Sequence, residues 1–291
     1  MCIGTNVRKM NCFVRRGFVE SFVRLAAVFG MVLIAPSVAA FAQITPPPQQ
    51  MDLSGYHATF SDDFSNLSLN AQGPGARWIT HTPWHGDFGD AIFADPSSGV
   101  FKSSPDGLEI IASKGVDGKW RSGLICSAWA DNNPTAGFTQ KFGYFEMTAE
   151  LPDGMGTWPA FWLIGSDKRT AAAEIDVIEY YGGFPRYFHT TEHVWVNGRN
   201  KYLRAFESEV PSRQLSAGFN QFGVLITPQT TSFYLNRREF WSTPTPPEYQ
   251  QPMYILADLA LGGGWPIAGL KSPIVMRIRD ITVWQRDKPW D

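Results

Sequence analysis

The chain of 291 residues is 44% hydrophobic and 18% charged, the composition of a globular protein with a sizeable core rather than of a disordered or fibrous chain. Its 25 basic and 27 acidic side chains leave a formal net charge of -2. The broad positive field of nucleic-acid-binding proteins is absent, so we expect no nucleic-acid partner. Aromatic residues at 14%, with 27 Gly and 21 Pro, are typical of short strands joined by turns.

Residues 1–42 have the layout of an export signal, in which basic side chains precede an uncharged stretch from Leu25 to Ala40. The stretch contains Pro36 and is shorter than the ~20 residues of a membrane-spanning helix, so no membrane span is expected after cleavage. We predict cleavage after Ala42 and a secreted or periplasmic protein. The segment from Arg15 to Val19 resembles a twin-arginine motif, with an ordinary positive n-region as the alternative.

Residues 43–50 contain a proline run and are predicted to form a short tether. Residues 51–291 show no further shift in composition and no repeat, which predicts one domain. Cys126 is the one cysteine that remains after signal cleavage, so no intramolecular disulfide is expected. We expect the protein to be a monomer.

The domain shows alternation of apolar and polar residues instead of helical periodicity. Phe145, Met147 and Ala149 alternate with polar neighbours and predict a half-buried strand. The link from Asn236 to Arg238 predicts a hairpin turn. Many strands in one domain predict an all-β fold of two packed antiparallel sheets, a sandwich or jelly roll, whose curvature would form a groove. Further strands are predicted at 108–112, 122–129, 159–164, 174–179, 188–194, 222–227, 232–235, 254–261 and 275–284.

The segment EIDVIE places three carboxylates, those of Glu174, Asp176 and Glu179, on an otherwise apolar strand. Side chains in a strand repeat every two residues, so Glu174 and Asp176 share a face while Glu179 would point to the opposite face. A β-bulge at Val177-Ile178 would return Glu179 to the first face, and bulges are common beside active sites. We therefore predict a bulge there and three carboxyls on one surface.

Two carboxyls about 5 to 5.5 Å apart suit retaining hydrolysis of a glycosidic bond, in which one attacks the sugar and the other protonates the leaving oxygen. Asp176 between them would hydrogen-bond Glu174 and help to keep Glu179 protonated. The alternatives are a solvated acidic edge strand and a cation site built from the same oxygens. The core residues between the acids, and the aromatic segment WPAFW just upstream, favour the catalytic interpretation.

The segments GFTQKFGYFEMTAELPDGMGTWPAFWLIG (137–165) and EIDVIEYYGG (174–183) resemble glycoside hydrolase family 16 in its bulged subgroup. Further similar segments occur in the same order along this chain as in the family, at 60–69, 120–127, 222–240, 252–266 and 276–285. The resemblance implies a concanavalin-like β-jelly-roll of two curved sheets with a concave substrate groove. It implies Glu174 as nucleophile, Asp176 as assisting acid and Glu179 as acid/base, and no cofactor for catalysis.

The same resemblance implies further substrate-binding residues. Trp158 and Trp162 would contact sugar near the cleaved bond, and His193 would approach the acid/base or the leaving-group sugar. His189 matches the other histidine of that pattern, with a structural histidine as the alternative. Trp265 follows three glycines at a loop that the family brings to the groove, with a packing role as the alternative.

Two positions depart from the pattern, since Asp258 stands where many members have asparagine and Ile226 where many have tryptophan. The resemblance also implies a structural calcium on the convex face, for which Asp63 and Asp280 stand at ligand-like positions. Calcium ligands include backbone carbonyls that a sequence does not reveal.

The leading hypothesis is thus an exported retaining endo-β-glycanase, whose partner is a polysaccharide such as a β-1,3-glucan or a bacterial exopolysaccharide. The segment from Arg77 to Pro96 differs from the usual laminarinase opening and favours an exopolysaccharide glycanase. A non-catalytic carbohydrate-binding jelly roll is a second hypothesis, because folds do not determine functions. A transglycosylase using the same triad is a third.

Overall fold

The structure is a computed structural model and describes residues 49–290. Helix is confined, in that range, to two three-residue 3-10 turns, Pro96–Ser98 and Pro247–Tyr249. The described part of the chain forms eighteen strands: β1 Tyr56–Asp62, β2 Leu69–Asn70, β3 Trp78–Ile79, β4 Ile92–Phe93, β5 Phe101–Ser104, β6 Gly107–Lys114, β7 Trp120–Ser122, β8 Leu124–Cys126, β9 Gly143–Glu150, β10 Thr157–Gly165, β11 Ala172–Glu179, β12 Tyr187–Val196, β13 Arg199–Glu209, β14 Asn220–Ile226, β15 Thr230–Leu235, β16 Arg238–Pro244, β17 Met253–Leu261 and β18 Ile274–Arg286.

The strands build two sheets. One has ten strands in the order β16-β15-β14-β9-β18-β6-β7-β4, with β1 on β18 and β5 on β6. The other has eight strands in the order β13-β12-β11-β10-β17-β8-β3-β2. Pairing is antiparallel except in two short parallel pairs, β2 with β3 and β4 with β7. The predicted all-β sandwich is confirmed, and buried apolar residues from both sheets form its main core.

Strand β9 departs from its predicted half-buried character, because seven of its eight residues are buried. Its polar Glu146 is 1% exposed and accepts hydrogen bonds from Tyr144 Oη at 2.9 Å and Arg237 Nη2 at 2.9 Å. Tyr144 in turn packs against Tyr234 and Trp284. The sequence pattern suggested a solvated face, and side chains from distant strands cover it instead.

The hairpin predicted at Asn236 is confirmed, because β15 ends at Leu235 and β16 begins at Arg238. Asn236 and Arg237 both have positive φ, 51° and 61°, as a two-residue primed turn requires. Strand β13 was not predicted, because its sequence is largely polar. It pairs with β12 and forms one edge of the eight-stranded sheet.

The predicted signal, residues 1–42, and most of the predicted tether lie outside the described residues. Gln50, at the end of the tether, forms a β-bridge with Arg238. No helix within residues 49–290 is long and apolar enough to cross a membrane. Cys126 is buried as a free thiol.

A buried carboxyl joins the two sheets near one edge. Glu192 in β12 accepts hydrogen bonds from Thr243 Oγ1 of β16 at 2.9 and 2.8 Å. Burial raises the pKa of Glu192 to about 7 from its ordinary 4.5, although Thr243 and Arg204 act in the opposite direction. The folded protein therefore binds a proton that the unfolded chain releases between these pH values.

We expect this linkage to make the free energy of unfolding fall as pH rises from about 4.5 to about 7, by roughly 3 kcal/mol from Glu192 alone. Glu192→Gln should lose less stability over the same interval, because its amide does not titrate. Urea unfolding at a series of pH values would measure the difference. Parallel curves for the wild type and the variant would contradict the prediction.

Candidate active site

The carboxylate strand β11 contains a β-bulge. In its pairing with β10, Asp176 lies opposite Trp162 and Ile178 lies opposite Phe161. Val177, between Asp176 and Ile178, has no partner in β10 and is the extra residue of the bulge. The same irregularity interrupts pairing with β12, and Thr190 Oγ1 donates to the Val177 carbonyl at 3.0 Å. The predicted bulge is confirmed.

The bulge separates the side chains of β11 into two sets. Ile175, Val177 and Ile178 are buried in the main core. Glu174, Asp176 and Glu179 lie on the other face, where Asp176 is 6% exposed and the two glutamates are partly exposed. The structure thus brings the three predicted acids together on one surface, which we call the catalytic face.

The three carboxyls hold their protons more strongly than ordinary acids. Burial, with the nearby Asp176, raises the pKa of Glu174 to about 8. Burial, then the charges of Glu179 and Asp258, raise the pKa of Asp176 well above its usual range, and burial raises the pKa of Glu179. Burial and mutual repulsion therefore oppose the ionisation of all three carboxyls together.

Indole N–H groups orient both glutamates. Trp158 Nε1 donates to Glu179 Oε1 at 3.0 Å, and Trp195 Nε1 donates to Glu174 Oε2. These bonds favour the ionised carboxylates and oppose the effect of burial. Trp195 is not among the site residues predicted from the sequence. Its position two residues after His193 on the same strand, and therefore on the same face, was the available signal.

His193 lies beside the central acid, with Nε2 at 3.2 Å from Asp176 Oδ2. Its Nδ1 is 2.6 Å from Asn200 Nδ2, and its ring stacks on Trp195 with centroids 5.0 Å apart. Because the Asn200 amide donates to Nδ1, a neutral His193 carries its proton on Nε2 and donates it to Asp176. Asn200 belongs to β13, the strand that was not predicted, so it was not predicted as a site residue either.

Asp258 is a fourth acid of this site. It is 0% exposed and accepts hydrogen bonds from Trp162 Nε1 at 2.8 Å and from the Ala260 amide at 3.0 Å. Ala160 pairs with Asp258 on one side and with Glu179 on the other. Burial raises the pKa of Asp258 to about 8. The sequence marked this position as a departure from the family pattern without assigning it to the site.

The predicted sugar-contacting aromatics differ in their accessibility. Trp158 is partly exposed and stacks on Tyr181, with ring centroids 6.1 Å apart. Trp162 is 6% exposed. Trp265 is 37% exposed and meets Phe184 edge-on at 4.7 Å, in a loop beyond the end of β17.

His189 of β12 lies on the catalytic face and pairs with Glu179 of β11. Its ring meets the edge of Tyr181, and its Nε2 is 3.7 Å from Glu207 Oε2. Burial lowers the pKa of His189, while Glu207 acts in the opposite direction. A neutral imidazole next to the acid/base candidate can both donate and accept a hydrogen bond.

The model of the family "Glycosyl hydrolases family 16" matches residues 122–270, about half of the chain and including the whole of β11. The chain belongs to glycosyl hydrolase family 16. The resemblance found in the sequence is therefore confirmed.

Two relatives from Rhizobium meliloti (strain 1021) are similar over 82% of this chain. They are the endo-1,3-1,4-beta-glycanases EglC, at 30% identity, and ExsH, at 29%. The chain spans about half the length of both, 54%. The solved structure of SCLam, a non-specific endo-beta-1,3(4)-glucanase from family GH16, superposes with a TM-score of 0.66 at 20% identity. The superposition covers 83% of this chain and 96% of the SCLam chain, and it confirms the predicted jelly-roll fold.

Three other family positions lie away from the catalytic face. Ile226 is 1% exposed in the main core, so it does not line this face. Asp63 accepts hydrogen bonds from the Ser65 amide and hydroxyl, and Asp280 is partly exposed in β18.

The described residues contain no group of three or more His, Cys, Asp or Glu side chains that could hold a metal ion. Asp63 and Asp280 therefore do not form a carboxylate-rich cation site by themselves. Backbone carbonyls would have to supply the remaining ligands. The structural calcium stays a prediction.

Proposed function

We propose that the protein is a retaining endo-β-glycanase that hydrolyses a β-linked polysaccharide. The observation that carries this proposal is the bulge in β11, which gathers Glu174, Asp176 and Glu179 on one face of the sheet. Two of these acids receive directed indole hydrogen bonds, as positioned catalytic groups require. Membership of glycosyl hydrolase family 16 supports the reaction class.

In the proposed first step, Glu179 transfers its proton to the glycosidic oxygen as the bond to the anomeric carbon breaks. The Glu174 carboxylate attacks that carbon, and a covalent glycosyl ester forms. The shortened chain with its new hydroxyl then leaves. In the second step, Glu179 removes a proton from water, the water oxygen attacks the anomeric carbon, and Glu174 is released.

Asp176 supports both steps from its position between the two glutamates. Its negative charge would raise the pKa of Glu174 and oppose the attack, so protonation of Asp176, which burial favours, is what allows Glu174 to ionise and act as nucleophile. His193 Nε2 can donate a hydrogen bond to Asp176 whether Asp176 is ionised or protonated. Asp176 can therefore change its protonation state during the cycle and keep its contact with the imidazole. Asp258 extends this group of acids beneath Trp162.

We propose that the substrate is a β-glucan with 1,3 and 1,4 linkages, or an exopolysaccharide that contains such linkages. EglC and ExsH are described as endo-1,3-1,4-beta-glycanases and SCLam as acting on β-1,3(4)-glucan, which supports this class. Partly exposed aromatic rings on the catalytic face, such as Trp158, suit the apolar faces of glucosyl rings. Export, predicted from residues 1–42, would bring the enzyme to such polymers.

The test is incubation of the purified protein with β-1,3-glucan, mixed-linkage glucan, agarose and bacterial exopolysaccharides, followed by product analysis. Oligosaccharides of several lengths from a β-glucan or an exopolysaccharide are expected. Proton NMR during the reaction should show the β-anomer first, as retention requires. Binding without cleavage across the panel would overturn the proposal in favour of a carbohydrate-binding protein, and an initial α-anomer would overturn the retaining mechanism.

A further inference from the structure

A second hydrophobic cluster lies on the catalytic face, separate from the core between the sheets. It contains residues of β8, β10 and β17. Residues 80–91 connect β3 with β4, and their partly buried aromatic rings pack against this cluster. We call residues 80–91 the covering segment. Leu124, Leu256 and Asp258 in this part of the sheet are all 0% exposed. The covering segment thus removes the β17 and β8 side of the catalytic face from solvent.

Two aromatic residues of the covering segment pack on Trp162. The ring centroid of Trp84 is 6.1 Å from that of Trp162, and the centroid of Phe88 is 5.8 Å from it. Phe88 also lies 5.5 Å from Trp158. Trp162 is therefore a packing residue beneath Trp84 and Phe88, and these two rings are nearer to solvent.

The covering segment is held in place at several points. The Asp90 amide donates to the Leu261 carbonyl at 2.8 Å, which ties it to the end of β17. His81 lies between two carboxylates, with Nδ1 2.9 Å from Asp87 and Nε2 2.9 Å from Asp95. A segment with these contacts presents its aromatic rings in a fixed arrangement, as ligand recognition favours.

A charged pair lies beside Trp84. Lys168 Nζ is 3.9 Å from the centroid of the Trp84 ring and 2.9 Å from Asp131 Oδ1, and Tyr254 Oη donates to the same Asp131 oxygen at 3.2 Å. Tyr254 of β17 pairs with Ile164 of β10, which pairs in turn with Glu174 of β11. The Lys168–Asp131 pair, which Tyr254 contacts, therefore lies on the Glu174 side of the site. An ammonium and a carboxylate side by side can bind adjacent hydroxyls of a sugar as donor and acceptor.

The opposite side of the catalytic face is open. Leu203 of β13 is 60% exposed and pairs with His193, and the Glu207 side chain beside His189 is 59% exposed. The face is therefore asymmetric about β11, with a covered side toward β17 and an uncovered side toward β13.

We propose that Trp84 with the Lys168–Asp131 pair forms a sugar-binding subsite that limits the groove on the β17 side. It takes a neutral β-linked hexose unit, whose ring contacts Trp84 and whose hydroxyls meet Lys168 and Asp131. The rest of the polysaccharide extends over β12 and β13. This inference rests on the proposed function, since it concerns the substrate of the same face.

The test measures kcat and KM on mixed-linkage β-glucan oligosaccharides of increasing length, labelled at the reducing end. Trp84→Ala should raise KM about tenfold for oligosaccharides that reach the subsite and move the position of cleavage. It should leave the shortest cleaved oligosaccharide unaffected. Lys168→Met, which keeps the Trp84 ring, should show the same length dependence with a smaller effect. His85→Asn is the matched control, because His85 is an exposed neighbour with a positive φ that asparagine tolerates.

An equal loss at every length, or an unchanged cleavage position and KM in both variants, would overturn the subsite. Thermal unfolding identifies a variant that has lost its fold, and Trp84→Phe then replaces Trp84→Ala. If the wild type cleaves none of the oligosaccharides, the proposed function fails and calorimetric binding decides the subsite separately. Weaker binding of the long oligosaccharides to Lys168→Met than to wild type would support it, and equal binding would overturn it.

Discussion

Replacement of Glu174 by alanine is expected to lower kcat on β-glucan by at least roughly 10⁴-fold with little change in thermal stability. The variant lacks the oxygen that attacks the anomeric carbon, and its truncated side chain is partly exposed rather than in the main core. Added azide should restore turnover by attacking from the vacated side and forming an α-glycosyl azide. Reducing-sugar assays and NMR of the azide product would measure both effects.

The matched control for this variant is Glu150→Gln. Glu150 is also a partly exposed glutamate on a strand, but it belongs to β9 in the ten-stranded sheet, away from β11. The control should keep nearly the full wild-type rate. Activity of Glu174→Ala within tenfold of the wild type would overturn the nucleophile assignment.

Glu179→Ala is expected to lower kcat on polysaccharide by about 10³-fold, because the leaving oxygen then departs without a proton. A dinitrophenyl β-glycoside should lose far less activity in its first step, since its leaving group needs no protonation. The pH profile of kcat/KM should also lose its basic limb, which reports deprotonation of the acid. Azide should give a β-glycosyl azide here, because it attacks the glycosyl ester in place of water.

The α-glycosyl azide from Glu174→Ala and the β-glycosyl azide from Glu179→Ala distinguish the roles of the two glutamates. An α-azide from Glu179→Ala, or an equal loss of activity on both substrate types, would mean that Glu179 is not the acid/base. Loss of activity in either variant together with a lower melting temperature would indicate a folding defect, and Glu179→Gln then supplies the isosteric comparison.

Much of this site was predictable because it depends on local geometry. The period of two along a strand, applied to Glu174, Asp176 and Glu179, required one extra residue, and the register of β11 contains it at Val177. The alternation of apolar residues likewise placed most strands, and the Asn236 turn follows from residues that tolerate positive φ.

Other features depended on chain segments that meet only in the folded protein. Asn200 reaches His193 because β13 pairs with β12, and a polar strand gives no apolar alternation to reveal it. Glu146 is buried because Arg237, 91 residues later in the chain, covers it. Tertiary packing overrode the polar pattern at both positions.

The sequence by itself therefore determined the family, the all-β class and the three acids of β11, because each follows from motifs or from the fixed period of a strand. Only the tertiary structure decided which aromatic rings remain accessible, that Asp258 joins the acids, and that one side of the catalytic face is covered. The accessibility of the rings and the covered side arise when residues 80–91 pack on strands more than thirty residues away in the chain. Asp258 joins the acids because β17 pairs with β10, which in turn pairs with β11. Burial and electrostatic environment are consequences of such packing, and local sequence patterns do not specify them.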